Sequence, residues 1–143
     1  MSRYIPQINV KLGGTNHVVK SLPKVGLECM MIGVDVTHPM PGGEMPSIIA
    51  SVATTDGQRN RYNSELGAQY NEDRRKKSQE TIIEAETIFA RHFQAWQESN
   101  KGLLPKSVIV FRDGVSEGEY QHVVTNEFDK LKKAAAKVRE SKG

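Results

Sequence analysis

Residues 107–111 read SVIVF, a run too short for a helix and without the polar alternation of a half-buried strand. Such a run is expected to form a strand covered on both faces. A segment of helical period precedes it. Ile82, Ala85, Phe89, Phe93 and Trp96 fall on one face, and Glu84, Glu86, Arg91 and Gln94 fall elsewhere. A helix leading into a covered strand is a crossover, and crossovers join parallel strands. The chain is therefore expected to be α/β, with a parallel pairing in its sheet.

Three strand-like segments come first, at about 28–36, 47–55 and 61–69. The Asp56-Gly57 turn signal and the short gaps between them suggest an antiparallel meander. Asn100 and Gly102 provide a stop for the helix. After SVIVF, Ser116 and Glu119 form a capping-box pattern. Tyr120, Val123, Val124, Phe128, Leu131, Ala135 and Val138 then continue at helical spacing. Tyr120 and Trp96 both read as core residues. The order is β-β-β-α-β-α. It stops where a further strand is expected, so the sheet should keep an open edge and the domain should be truncated. Residues 1–27 read as an irregular leading segment, with a short strand at Ile8–Leu12 ended by Gly13-Gly14, ahead of a core at 28–143.

A chain of 143 residues suffices for one domain with a real core. No apolar run approaches a membrane span, and the N-terminus MSRYIPQINV lacks the apolar centre of a secretion signal. The single cysteine, Cys29, excludes an internal disulfide framework and reads as an inert buried thiol in a reducing compartment. The net charge is +3, and its distribution is uneven. Arg3, Lys11, Lys20 and Lys24 are the only charged residues among the first 24, and Arg74-Arg75-Lys76-Lys77 forms a second basic run. Such runs serve solvated faces or nucleic-acid contacts.

Two of the expected strands end in an acid followed by a loop: Asp35 in GVDVTHP and Asp113 in VIVFRDGVSEGEY. If the two strands are parallel neighbours, both carboxylates emerge at one edge. There they repel unless a cation neutralises them. Mg²⁺ suits such oxygen ligands, and ligands of open α/β sheets bind outside the carboxyl ends of the strands. The alternative is that each acid holds its own turn, as the Asp113-Gly114 dipeptide and the Thr37-His38 bend would allow. His38, ahead of a proline, reads as a structural histidine. His17, His92 and His122 have no partners at ligand spacing, and no Ser-His-Asp spacing indicates a hydrolase triad.

The stretches INVKLGGTNH, GVDVTHP, PSIIASVAT and VIVFRDGVSEGEY occur in the order found in the PIWI domain of eukaryotic Argonaute proteins, and the chain resembles that domain from about residue 7 to 124. The resemblance implies an RNase H-like mixed sheet, a three-strand antiparallel meander plus a parallel strand, with flanking helices. It also implies small-RNA-guided binding and cleavage of target RNA in gene silencing, with Mg²⁺ or Mn²⁺ as cofactor. Its partners would be a small guide RNA, a complementary target RNA and the remaining Argonaute domains, in a cytoplasmic or nuclear setting and away from membranes.

Residue by residue, Asp35 and Asp113 match the family's two strand-borne catalytic, metal-binding aspartates. Glu80, in SQETIIEAE, matches its catalytic glutamate, with Glu84 as the other candidate; both also suit a helix start. Two metal ions about 4 Å apart would clamp the scissile phosphate in such a site. Lys11, in NVKLGG, matches a lysine that holds the guide 5′ phosphate, although Gln7 stands where members often carry a second lysine. Nothing after Glu119 matches the family's fourth catalytic residue, so the isolated chain is expected to cleave little or no RNA. The competing expectations are a guide-RNA-binding module that docks partners without cleaving and, more distantly, an unrelated RNase H-like nuclease or transposase.

Overall fold

The computed structural model describes residues 4–18, 25–40, 45–70 and 81–141. The elements run α1 (Tyr4–Lys11), β1 (Cys29–Thr37), β2 (Ser47–Thr54), β3 (Tyr62–Gln69), α2 (Ala85–Ser99), β4 (Ser107–Arg112) and α3 (Glu117–Glu140). The four strands form one sheet in the order β3-β2-β1-β4. β1 pairs antiparallel with β2 and β2 antiparallel with β3, while β4 lies parallel to β1. The meander and the helical crossover are thus as the residue pattern indicated.

Alternation explains which face is covered. Met30, Ile32, Val34 and Val36 of β1 and Ile49 and Ala53 of β2 are buried. They form one core with Ile88, Phe89, Phe93 and Trp96 of α2 and Leu131, Ala134 and Val138 of α3. The residues between them, including Asp35, Ile48, Val52 and Leu66, face outward. Asp35 therefore stands on the uncovered face, and β1 carries no carboxylate into the core.

Three expectations change. Residues 8–12 were expected to be a strand but belong to α1 and its end. The apolar positions there are too few to distinguish the two periods. Gly13 adopts φ +80, Gly14 donates to the Asn9 carbonyl at 2.8 Å, and Gly13 donates to Val10 at 3.0 Å. This pair of bonds is the Schellman ending of a helix, so the two glycines stop a helix and not a strand.

β4 was expected to be covered on both faces, yet Phe111 is 60% exposed and Val110 37%. It is an end strand among the described residues, and α3 covers it only in part. Tyr120 was expected in the core but is 58% exposed. α3 buries the stripe Val123, Glu127, Leu131, Ala134 and Val138, and Tyr120, Val124 and Phe128 lie beside it, over β4. Trp96, by contrast, is 2% exposed, and Cys29 is buried with a free thiol.

Candidate metal and nucleic-acid site

The parallel register pairs Val34 with Arg112, the last residue of β4. The amide of Asp113 then donates to the carbonyl of Val34 at 3.0 Å, continuing the ladder one step. Asp35 and Asp113 are accordingly neighbours across the strand ends, both exposed, and both line one shallow recess with Gly33, Ala50, Val52 and Phe111. Gly114 turns the chain at φ +80 and its amide donates to Asp113 Oδ1 at 2.8 Å. A Cβ at Gly114 would lie 3.7 Å from Asp35 Oδ1, which shows how closely the turn approaches the first carboxylate.

Two hard oxygen donors at adjoining strand ends fit part of a Mg²⁺ or Mn²⁺ shell. Among the described residues no group of three His, Cys, Asp or Glu is placed to hold a metal. Glu80 and the basic run 74–77 lie outside the described residues. Glu84 is exposed at the N-cap of α2, and is not among the residues lining the recess. That helix start lies at the same edge of the sheet as Asp35. Ile83 donates its amide to Gln69 Oε1 at 3.1 Å, Gln69 pairs with Ser47, and Ile48 pairs with Thr37.

Lys11 sits elsewhere. It ends α1 and lines a recess with Val10, Thr55, Asn60, Arg61 and Tyr62, beside the β2–β3 turn. This lies toward the other end of the meander from Asp35, about 17 Å along β2 from Ala50, which pairs with Asp35, to Thr55. Asn60 Nδ2 is buried there without a hydrogen-bond partner, and Arg61 brings a second cation beside Lys11. Sequence reasoning missed Arg61, because a charge at a strand start carries no signal until α1 is placed against it.

Two polar clusters frame the carboxylates and the sheet. Arg112 Nε donates to Glu127 Oε1 of α3 at 3.3 Å, with both side chains 8% exposed, and Arg112 also donates to the Asp113 carbonyl. Desolvation pushes the Glu127 carboxyl above its usual range, offset only in part by Arg112. On the covered face, His92 of α2 is fully buried, with Nε2 2.8 Å from Ser51 Oγ and Nδ1 3.0 Å from Asn63 Nδ2. An amide nitrogen donates, so Nδ1 accepts, and Nε2–H donates to Ser51. Desolvation lowers the His92 pKa to about 4, against the opposing field of Glu65. Glu65 is raised by burial but held below the usual carboxylate range by hydrogen bonds from Asn63 and Arg91. This tautomer leaves His92 no lone pair for Ser51, so the pair joins α2 to the sheet and is not a nucleophile with its base. His38, the other histidine near the strand ends, bonds through Nδ1 to Ser47 Oγ at 2.9 Å.

Comparison with known proteins agrees with this fold. The Piwi domain family matches residues 2–143. Protein argonaute-2 of Drosophila melanogaster is 33% identical over 135 residues, covering 92% of this chain and 10% of that protein. Protein argonaute 3 of Oryza sativa subsp. japonica is 37% identical over 127 residues, covering 85% of this chain and 11% of its own length. The crystal structure of Kluyveromyces polysporus Argonaute with a guide RNA superposes with a TM-score of 0.79 at 25% identity, over 96% of this chain and 16% of that one. The MID-PIWI domains of N. crassa QDE-2 superpose with a TM-score of 0.71 at 27% identity, over 90% of this chain and 36% of that one. The chain thus spans about a tenth of the length of these curated relatives. With its RNase H-like sheet and its match over nearly every residue, the chain belongs to the Piwi domain family of Argonaute proteins.

Proposed function

We propose that this chain forms part of a small-RNA-guided endoribonuclease that acts in RNA silencing. The observation that supports this most is the meeting of Asp35 and Asp113 at the ends of two parallel strands. In this reading the two carboxylates hold a divalent cation, with Glu80 as a further acid. A divalent cation held by Asp35 and Asp113 would supply Lewis-acid chemistry for phosphodiester hydrolysis. The protein's own part is positioning. The parallel ladder sets the two backbones, and the Gly114 amide orients the Asp113 carboxylate. Both acids stand on the open sheet face, where a phosphodiester backbone has access.

Lys11, with Arg61 beside it, binds a guide phosphate at the far end of the meander. Phosphate contacts fix the register of a nucleic acid without reading its sequence, and sequence is left to base pairing with the target. The test uses the full-length protein loaded with a guide RNA, and measures Mg²⁺- or Mn²⁺-dependent cutting of a complementary RNA. Wild type is expected to cut, and Asp35→Ala and Asp113→Ala to bind target without cutting. Equal cutting by all three overturns the assignment. Target binding without cutting by wild type establishes the non-cleaving module instead.

A further inference from the structure

We propose that Arg112 and Glu127 are positioning residues for Asp113: their ion pair clamps the Asp113–Gly114 peptide, just past the end of β4, to α3 and so fixes the carboxylate beside Asp35. The inference rests on the reading of Asp35 and Asp113 as a cation site. Its basis is the number of restraints that converge on one residue. The Asp113 amide donates to Val34 at 3.0 Å, its carbonyl accepts from the Arg112 guanidinium, and its Oδ1 accepts from Gly114 at 2.8 Å. The first restraint comes from β1 and the third from the turn. The second comes through Arg112 from Glu127, ten residues into α3.

A guanidinium suits this task because its rigid fork serves two acceptors at once. Here one arm holds a carboxylate on the helix and another holds a carbonyl in the loop. Mere packing of α3 on β4 does not require such a pair. Apolar residues of the same volume would do as well, without the cost of desolvating two charges. What an apolar pair lacks is any hold on the Asp113 carbonyl, and with it on the Gly114 amide of the same planar peptide, which donates to Oδ1. Without that hold the carboxylate would sample rotamers that no longer converge with Asp35.

The experiment compares wild type, Glu127→Gln and the apolar double variant Arg112→Met/Glu127→Leu. It reads the NMR amide order parameters of Asp113 and Gly114 and the Mn²⁺ concentration that broadens the Asp35 and Asp113 signals. Wild type should show order near about 0.85 at both amides, and both variants should fall below about 0.6. Mn²⁺ binding should weaken by about tenfold in both. The double variant should melt no lower than Glu127→Gln, which separates loss of positioning from loss of stability. Wild-type order at Gly114 in either variant, or low order already in wild type, overturns the proposal. Absence of Mn²⁺ broadening in wild type would sink the cation site itself, and the clamp would then stand or fall on the order parameters alone.

Discussion

Gly114 and Asp35 meet across the strand ends: a Cβ built on Gly114 lies 3.7 Å from Asp35 Oδ1, at a backbone φ of +80. The turn that follows β4 therefore depends on a left-handed residue placed against the neighbouring carboxylate. Gly114→Ala is expected to lose about 1–2 kcal/mol from the left-handed conformation alone, measured as a lowered urea midpoint at unchanged slope. An alanine as stable as glycine here would mean that residue 114 does not hold the left-handed conformation.

Stability should depend on pH through His92. Its folded pKa, about 4, lies below the 6.5 of an unperturbed histidine. Between those values the unfolded chain binds a proton that the folded chain refuses, so stability falls as pH drops from 6.5 towards 4. The loss approaches about 3 kcal/mol. Glu65, with its lowered pKa, adds loss at the acid end, while Glu127, with its raised pKa, works in the opposite direction as pH rises above the usual carboxylate range. Urea melts at a series of pH values should show this slope in wild type and a flatter one in His92→Gln. Parallel curves for the two proteins would exclude His92 as the source.

Trp96 and Tyr120 should differ sharply. Trp96→Ala empties the centre of the core, where the ring is 2% exposed, and should cost about 3–5 kcal/mol. Tyr120→Ser, on a side chain 58% exposed, should change stability by no more than about 0.5 kcal/mol. Thermal melts of the two variants check both statements, and a large loss at Tyr120 would mean that its ring is covered in solution.

These two aromatics also show how far the residue pattern could be read. Both fall at helical spacing with apolar neighbours, and periodicity identifies the helix correctly in each case. Periodicity does not measure the width of the buried stripe. α2 packs on the sheet and on α3, whereas among the described residues α3 has one flank covered. SVIVF was legible as a strand, and its place beside β1 followed from the crossover. Its cover did not follow, because cover depends on what else stacks there. The Asp35–Asp113 convergence was legible because parallel strands bring their carboxyl ends together. Arg112–Glu127 was not, since an ion pair spanning 15 residues has no periodic signature.

Lys11 and Arg61 share one recess, and both should contribute to binding of single-stranded RNA. Lys11→Ala and Arg61→Ala are each expected to weaken binding and to reduce the slope of log affinity against log salt by about 0.7, one phosphate contact's worth on a single strand. Filter binding across a salt series reads both quantities. An unchanged slope in Arg61→Ala would remove that residue from the phosphate contact.

The most direct test of the account is whether Asp35 and Asp113 bind one ion together. Titration of the isotope-labelled chain with Mn²⁺ should broaden the amide signals of both residues at the same concentration. Asp35→Ala should abolish the broadening at Asp113, and Asp113→Ala the broadening at Asp35. Broadening that survives at either aspartate after the other is removed would contradict a shared site.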